Sequence, residues 1–195
     1  MKDYTSKDIR NVVLLGHAGS GKTTIAEASL FLTKAIDRVG KSQDGSSALD
    51  FDQEEAKRGQ SVFTALAPIE WKNKKINFVD TPGYLDYEGE KMSGFFAGDA
   101  ALIVVSGKDG VESGTEKAVK ICRKDQKPAV FFVNKMDDEN ANKDKVLGDL
   151  QAKFGTVIPF VADNYPKYIL TLDDDLDADF DGIKKINVLD WLLEE

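Results

Sequence analysis

Gly16-His17-Ala18-Gly19-Ser20-Gly21-Lys22-Thr23 is the stretch that decides the fold of this chain of 195 residues. It matches the spacing G-x-x-x-x-G-K-[ST], follows an apolar run at residues 11–15 and opens a helical pattern at 22–32. Glycines at these positions let backbone amides turn inward around phosphate groups at the positive end of a helix. The stretch therefore predicts a phosphate-binding loop in which Lys22 reaches the β- and γ-phosphates and Thr23 ligates Mg²⁺.

Short apolar runs alternate with helical patterns along the chain, which is typical of a wound, mostly parallel sheet. The turn around Lys72-Asn73-Lys74 adds an antiparallel hairpin at one edge. We therefore expect the α/β fold of P-loop NTPases, a three-layer sandwich with a mostly parallel sheet and one antiparallel edge hairpin. The predicted strands are residues 11–15, 61–71, 75–79, 100–105, 129–133 and 156–161, and the predicted helices are residues 22–32, 86–97, 114–125 and 142–154.

Two segments break this alternation. Residues 34–60 are rich in Gly, Ser, Asp and Glu without a periodic pattern, which indicates a long functional or mobile loop. After residue 161 an acidic connector at 173–182 precedes a predicted helix at 183–193. We therefore predict a nucleotide-binding P-loop domain over residues 1–162 and an acidic C-terminal segment over residues 163–195.

The composition excludes several classes of protein. Apolar residues make up 42% of the chain, yet the longest apolar runs are too short to cross a bilayer and the amino terminus lacks a signal-peptide core. The single Cys122 cannot form an internal disulfide, so we expect a cytoplasmic protein without a membrane partner. The net charge is −8, and residues 163–195 carry most of it, with ten acidic and three basic side chains. Because the remainder is nearly neutral, no direct nucleic-acid binding is predicted.

A second motif, Asp80-Thr81-Pro82-Gly83, follows the predicted strand at 75–79. An aspartate at the end of such a strand can hold Mg²⁺ through water, and the Gly83 amide can sense the γ-phosphate. Alone these four residues form a good turn and nothing more. Because they follow a phosphate-binding loop, we interpret them as part of the nucleotide site.

A third motif, Asn134-Lys135-Met136-Asp137, follows the predicted strand at 129–133. A carboxylate can accept hydrogen bonds from two adjacent N–H donors of guanine, whereas adenine would leave the Asp137 carboxylate unpaired. Asn134, Lys135 and Asp137 are therefore candidate base-binding residues. Together the three motifs predict a site for a guanine nucleotide.

Two further residues have candidate roles at this site. Ser61 ends the long loop and offers a hydroxyl as a second Mg²⁺ ligand in the triphosphate state; the less favoured alternative is a strand-start serine in a solvated loop. His17 is the only histidine and lies within the loop beneath the phosphates. We expect His17 to pack or hydrogen bond there as a nucleotide-site residue, not to act as a general base.

With these residues identified, the chain resembles the GTP-binding domain of translational GTPases, most closely bacterial elongation factor G and its paralogues. The resemblance covers roughly residues 8–160 and adds Thr24 to the nucleotide-binding residues. It implies a factor that binds GTP and GDP with Mg²⁺, binds the ribosome and couples GTP hydrolysis to translation. The matching positions outside the three motifs are Thr24, residues 52–61, Gly110-Val111, Thr115-Glu116 and Phe132-Val133.

The chain departs from this family at Tyr84, where a histidine normally positions the attacking water. A phenol with a pKa near 10 is a poor proton acceptor at pH 7. We therefore expect weak intrinsic, ribosome-dependent hydrolysis, with Tyr84, Lys22 and Gly83 as the candidate catalytic residues. The alternatives are a GTP/GDP-binding switch with negligible hydrolysis, a P-loop kinase or ATPase of another class, and a fragment with an incomplete nucleotide pocket.

Other departures concern the helix after Tyr84 and the base pocket. Ser93 and Phe96 stand where the family usually has arginines, and Asp138 stands where an arginine is common. A Ser-Ala motif that supports guanine in the family is not evident, and Val161-Ala162-Asp163 is one candidate for it. In the other interpretation the chain stops inside the family's inserted subdomain, and Phe180-Asp181-Gly182-Ile183 resembles the start of that subdomain. The acidic C-terminal segment is then the start of that insertion instead of the final helix of the domain.

Overall fold

The computed structural model describes residues 3–155, 167–171, 179–180 and 183–187. The Cα positions group into two compact units, Met1–Asn142 and Lys143–Glu195. The domain boundary predicted at residue 162 lies outside the described residues and stays a prediction.

The first unit is built on a five-stranded sheet with the order β2-β3-β1-β4-β5. Strand β1 is central because its second half is a continuous apolar run, as expected for a strand covered on both faces. It pairs in parallel with β3 and β4, and β4 pairs in parallel with β5, whereas β2 and β3 are antiparallel. The expected mostly parallel sheet with one antiparallel edge pair is confirmed. The strands are β1 (Ile9–Gly16), β2 (Ala65–Trp71), β3 (Lys74–Asp80), β4 (Ala100–Ser106) and β5 (Ala129–Asn134).

The edge hairpin has a tight turn. Trp71 lies opposite Lys74, so that only two residues connect β2 to β3. Both of them have positive φ, 43° at Lys72 and 63° at Asn73, as type I′ turns require. Strand β2 is an edge strand, which is where Pro68 is tolerated because a proline donates no hydrogen bond to a ladder.

Helices cover both faces of this sheet. The connection from β1 to β3 runs in the opposite direction across the sheet from the connections β3 to β4 and β4 to β5. Because such crossovers are right-handed, α1 lies on one face and α3 and α4 lie on the other. α1 packs on β1, β2 and β3, α3 packs on β1 and β3, and α4 packs on β1 and β4. The helices are α1 (Lys22–Leu32), α2 (Gln53–Arg58), α3 (Glu88–Ala97) and α4 (Ser113–Lys124).

The segment between α1 and β2 is more structured than its composition indicates. It contains a 3₁₀ turn, Ser42–Asp44, and the short helix α2. The Asp52 side chain caps α2 and forms a capping box with Glu55, and Gly59 ends the helix at φ 64°. The expectation that residues 34–60 lack regular structure is therefore wrong for these two elements.

Strand β2 begins at Ala65, so the strand predicted from residue 61 is four residues too long. The amides of Val62 and Phe63 donate to the Glu55 carboxylate, and the Thr64 amide donates to the Glu90 carboxylate. These amides are therefore engaged by side chains and not by a strand ladder.

The second unit contains α5 (Lys143–Phe154), β6 (Lys167–Thr171), β7 (Asp179–Phe180) and β8 (Ile183–Asn187). Strand β8 pairs in parallel with β6 and antiparallel with β7. The helix predicted from residue 183 is therefore wrong at 183–187, because pairing with a distant strand leaves no local signal in five residues. The strand predicted at 156–161 lies outside the described residues. In the part of the chain that the structure describes, no helix has the length and apolar character needed to span a membrane.

Candidate functional site

The phosphate-binding loop connects β1 to α1, as its sequence predicts. Gly16 has φ +140°, and a Cβ atom there would overlap the Val104 carbonyl oxygen on β4. Gly21 has φ +100° at the N-cap of α1, where a Cβ atom would overlap Nδ2 of Asn134. Both positions therefore require glycine, for conformation and for space. Ala18 and Gly19 lie between them on the accessible side of the loop, and Thr24 is exposed on the first turn of α1.

The Lys22 side chain is buried beneath this loop. Its Nζ atom donates to the carbonyl oxygen of His17 at 2.9 Å and to that of Gly16 at 3.4 Å. Burial lowers the pKa of the Lys22 ammonium to about 8, while the negative charge of Asp80 opposes the shift and the positive charge of Lys91 adds to it. The ammonium therefore lies inside the loop, with acceptors that a phosphate oxygen could replace.

His17 connects the loop to α4. Its Nδ1 atom accepts a hydrogen bond from the Gly114 amide at 3.2 Å, and its Nε2 atom lies 3.4 Å from Oε1 of Glu112. A Cβ atom on Gly114 would lie 2.6 Å from Cα of His17, so the two backbones are in close contact. His17 thus has the packing and hydrogen-bonding environment that its position in the loop predicts.

Asp80 ends β3 beside the loop. The next residue, Thr81, donates its hydroxyl to the Leu14 carbonyl oxygen at 2.7 Å and so fixes the strand end against β1. Burial raises the pKa of the Asp80 carboxyl to about 7, and a hydrogen bond from Thr23 and the charge of Lys22 oppose this shift. The surroundings of the carboxyl group therefore disfavour its ionised form unless a cation lies nearby.

The structure brings the three candidate metal ligands together. The hydroxyls of Thr23 and Ser61 lie 3.1 Å apart, and the Thr23 side chain lies close enough to Asp80 to lower the pKa of its carboxyl group. Within the described residues, three buried oxygen atoms of this region have no hydrogen-bond partner: Oδ1 of Asp80, Oγ of Ser20 and Oδ2 of Asp50.

These residues fit Mg²⁺, which is bound in proteins by one or two carboxylates together with waters and phosphate oxygens. The described residues contain no cluster of three Asp, Glu, His or Cys side chains that could hold a metal ion. A cation here would therefore depend on the Thr23 and Ser61 hydroxyls, the Asp80 carboxylate and the phosphates of a ligand.

Gly83 and Tyr84 follow Asp80 beside the phosphate-binding loop. A Cβ atom on Gly83 would lie 2.7 Å from the Ala18 nitrogen and 2.7 Å from Nζ of Lys22. Gly83 is buried in this contact, whereas the Tyr84 side chain is 44% exposed. The backbone of Gly83 is therefore at the phosphate loop, and the Tyr84 ring is accessible to solvent beside it.

The third motif extends from the end of β5 toward the same loop. Nδ2 of Asn134 donates to the Ser20 carbonyl oxygen at 3.0 Å. Lys135 adopts a positive φ of 58°, which turns the chain after the strand, and Asp137 is exposed in that turn. Asp138 is held by Lys108, 3.4 Å away, and by the Asn140 amide. The structure thus joins Asn134 to the loop directly and places Lys135 and Asp137 in the following turn.

Sequence reasoning missed three buried acidic residues around the site: Glu27, Asp50 and Glu55. The signal for Glu55 was present, because Asp52-x-x-Glu55 followed by Gly59 is the spacing of a capped short helix. Asp50 and Glu55 both add negative charge near Asp80 and raise the pKa of that carboxyl group. For Glu27, within the apolar side of α1, the sequence carries no comparable signal.

A mostly parallel sheet with a glycine-rich loop at the end of its central strand, and Asn134 hydrogen bonded to that loop, is the arrangement of a P-loop protein of the GTPase class. Residues 7–189 match the family model described as the elongation factor Tu GTP binding domain. The chain belongs to this family, whose members are GTPase domains of translation factors.

The relatives agree with this assignment. The chain is 38% identical over 147 residues to an elongation factor G-like protein of Mycobacterium tuberculosis, a match that covers 75% of this chain and 21% of the relative. It is 32% identical over 194 residues to elongation factor G of Mycoplasma genitalium, covering 97% of this chain and 28% of the relative. The resemblance to the elongation factor G group is confirmed, and the chain spans about a quarter of the length of these relatives.

Solved structures show the same fold. A protein of Thermus thermophilus superposes with a TM-score of 0.73 at 37% identity, over 77% of this chain and 23% of that one. The elongation factor SelB of Methanococcus maripaludis, solved with the GTP analogue GppNHp, gives a TM-score of 0.53 at 23% identity, over 73% of this chain and 26% of that one. At that identity the second similarity concerns the fold alone.

Proposed function

We propose that this chain binds GTP and GDP with Mg²⁺ and hydrolyses GTP slowly by itself and faster on the ribosome. One observation carries the proposal: the Thr23 and Ser61 hydroxyls meet 3.1 Å apart beside the buried Asp80 carboxyl, at the phosphate-binding loop. The ribosome would be reached through the full-length factor in the cytoplasm, since residues 1–162 carry almost no net charge with which to bind RNA.

The loop and Lys22 would bind the phosphate groups. The backbone amides of residues 16–24 lie at the positive end of α1, where anions are stabilised. The Lys22 ammonium already points into the loop, so a phosphate oxygen would take the place of a carbonyl acceptor. A neighbouring phosphate would also raise the pKa of Lys22 and keep it charged.

Thr23, Ser61 and Asp80 would hold the Mg²⁺. The bound cation would neutralise negative charge on the phosphate oxygens. Ser61 belongs to the loop before β2, whereas Thr23 and Asp80 belong to the fixed part of the site. Ser61 would therefore distinguish GTP from GDP by binding the cation only in the triphosphate state.

Base selection would depend on Asn134, Lys135 and Asp137. Asn134 ties the base motif to Ser20 in the phosphate loop, so that base and phosphate sites are held at a fixed separation. The Asp137 carboxylate would accept two hydrogen bonds from guanine, and adenine would leave it unpaired. We therefore expect ATP to bind much more weakly than GTP.

Hydrolysis would use the Gly83 amide to sense the γ-phosphate and Tyr84 to orient water. Because a tyrosine hydroxyl accepts a proton poorly at pH 7, the intrinsic rate would be low. The same feature favours a second candidate function, a GTP/GDP-binding switch with negligible hydrolysis. The two functions differ in turnover and not in binding.

A titration with fluorescent GDP, in Mg²⁺ and again in EDTA, tests the site. We expect saturable binding that GTP competes for and ATP does not, with loss of affinity in Lys22→Met and not in the matched surface variant Lys34→Met. ATP and GDP competing equally would refute the base assignment, and absence of GDP binding would refute the proposal. Phosphate release measured with the full-length factor, with and without ribosomes, then separates slow GTPase from switch.

A further inference from the structure

We propose that two buried glutamates, Glu27 on α1 and Glu55 on α2, are positioning residues for the segment 40–63. They hold this segment in the conformation that presents Ser61 to the nucleotide site. The part of the inference that concerns nucleotide rests on the proposed function, whereas the part that concerns the segment does not.

Glu27 is the anchor of the first half of the segment. Its carboxylate is 1% exposed and lies within α1, yet it accepts four hydrogen bonds from residues 40–49. Oε2 accepts from the Gly40 amide at 3.0 Å, and Oε1 accepts from the Ser47 hydroxyl at 2.8 Å, from the Leu49 amide at 3.2 Å and from the Ala48 amide. A buried carboxylate is tolerated only with such donors, and these amides in turn depend on it.

The anchored loop packs directly on α2. A Cβ atom on Gly45 would lie 3.4 Å from Cβ of Ala56, and one on Gly59 would lie 3.3 Å from Cα of Gln43. The 3₁₀ turn Ser42–Asp44 and α2 are therefore in van der Waals contact. A shift of the loop away from Glu27 would consequently remove the support on which α2 rests.

Glu55 connects α2 to the residues that follow Ser61. Its side chain is 2% exposed, and Oε1 accepts from the Val62 and Phe63 amides, each at 2.9 Å. Oε2 accepts from the Asp52 amide at 3.2 Å, which closes the capping box of α2. The two residues that follow Ser61 are thus fixed by one carboxylate.

Both ends of the segment return to α1. Glu27 holds the beginning, and Thr23, one helical turn earlier, contacts Ser61 at the end through the 3.1 Å hydroxyl pair. Because α1 begins at the phosphate loop, the segment and the loop share one rigid support. Two carboxylates and one hydroxyl pair therefore set the position of Ser61.

The contacts that hold the segment 40–63 are of a kind that positions a loop and does not only stabilise the core. Leu49 is buried, but the other large apolar side chains of the segment are not, since Phe51 is 82% exposed and Phe63 is 48% exposed. The segment is therefore held largely by polar contacts. Polar contacts to a few amides can be released without opening the core, as a loop that orders with its ligand requires.

Amide hydrogen exchange of Glu27→Gln and Glu55→Gln tests the anchoring without any nucleotide. The NH₂ group of glutamine cannot accept a hydrogen bond, so one group of amides loses its acceptor in each variant. We expect about tenfold faster exchange either at Gly40 or at Ala48 and Leu49 in Glu27→Gln, and either at Asp52 or at Val62 and Phe63 in Glu55→Gln, according to which carboxylate oxygen the NH₂ group replaces. The matched control is Glu54→Gln, an exposed neighbour that pairs with Arg58, which should alter neither group.

The second measurement compares affinities for GDP and for a non-hydrolysable GTP analogue in Mg²⁺. We expect both variants to lose about tenfold in affinity for the analogue and less than about twofold for GDP. Unchanged exchange, or an equal loss for both nucleotides, would overturn the proposal. A wild-type chain that binds neither nucleotide would overturn the proposed function instead, and exchange alone would then decide the anchoring. If a glutamine variant does not fold, the aspartate variant at the same position, Glu27→Asp or Glu55→Asp, takes its place, because it withdraws the carboxylate by one methylene.

Discussion

The Ser61 hydroxyl lies 3.1 Å from the Thr23 hydroxyl, although 38 residues separate them in the chain. Thr23 lies in the first turn of α1 and Ser61 lies in the segment that precedes β2, so the contact joins a fixed element to a segment held by side chains. Ser61→Ala should therefore weaken binding of a GTP analogue in Mg²⁺ by about tenfold and leave GDP affinity within about twofold. Isothermal titration with each nucleotide checks this, and Ser6→Ala, far from the site, is the control. Equal losses for both nucleotides would show that Ser61 does not distinguish them.

Tyr84→His should raise the rate of GTP hydrolysis, because an imidazole accepts a proton near neutral pH and a phenol does not. An increase of about tenfold or more is expected in phosphate release by the full-length factor on ribosomes. Tyr84→Phe is the companion variant, which keeps the ring and removes the hydroxyl. If all three proteins hydrolyse GTP at one rate, Tyr84 does not face the attacking water.

Gly83→Ala should reduce affinity for both nucleotides by about tenfold or more, because its Cβ atom would meet the Ala18 backbone at 2.6 Å. Gly89→Ala is a matched control in the neighbouring helix, where nothing lies within 4 Å of the added atom. That control should bind normally and gain about 0.5–1 kcal/mol in unfolding free energy, since alanine favours helix. Normal nucleotide binding by Gly83→Ala would contradict the close contact between Gly83 and the loop.

The Asp80 carboxyl predicts an unusual dependence of stability on pH. Its pKa is about 7 in the folded chain and 3.8 for an exposed aspartate, so between these values the folded state holds a proton that the unfolded state has lost. The contribution of Asp80 to stability is thus complete below about pH 4 and is lost as pH rises toward 7. In EDTA without nucleotide, Asp80→Asn should remove this loss and be more stable than wild type at pH 7.5, by on the order of 2 kcal/mol.

Urea unfolding at pH 5 and pH 7.5 measures this difference, with the exposed Asp86→Asn as the control. Addition of Mg²⁺ and GDP should reverse the order, since only the wild type then gains stability from binding. Identical pH slopes for wild type and Asp80→Asn would show that Asp80 is already charged in the folded state.

Lys91 and Glu88 form a pair of unequal exposure on α3. The Lys91 side chain is 4% exposed and its Nζ atom lies 3.1 Å from Oε2 of Glu88, which is 42% exposed. Glu88→Ala should cost about 1–2 kcal/mol in unfolding free energy, because it leaves a buried ammonium without this carboxylate. Lys91→Met should be near neutral, and the double variant should resemble Lys91→Met. Additive losses in urea unfolding would mean that the two side chains do not interact.

Local sequence patterns were sufficient to predict the helix and strands that carry the three motifs. The predicted helix at 22–32 coincides with α1, because the loop glycine fixes its start and apolar spacing fixes its face. The strands ending at Gly16, Asp80 and Asn134 were likewise visible as apolar runs. Since each motif follows its strand directly, the fold brings the motifs together at one edge of the sheet.

The parts that sequence did not reveal depend on distant side chains. The start of β2 is displaced to Ala65 because Glu55 and Glu90 engage the preceding amides, and no local pattern reports such contacts. Glu27 is a further example, since a single glutamate among the apolar positions of a helix carries no sign of the four donors whose hydrogen bonds it accepts. The pairing of β8 with β6 is equally non-local.

Lys22 donates to the His17 and Gly16 carbonyl oxygens of its own loop. Two of the three ammonium donors therefore already have acceptors, and any phosphate oxygen beyond the first must replace one of these carbonyl oxygens. Such an exchange contributes little net free energy, so tight binding has to come from the loop amides and from the charge of the ligand. The internal hydrogen bonds of the loop therefore oppose ligand binding. A ligand without phosphate charge, such as a nucleoside, would not displace the carbonyl oxygens from Lys22.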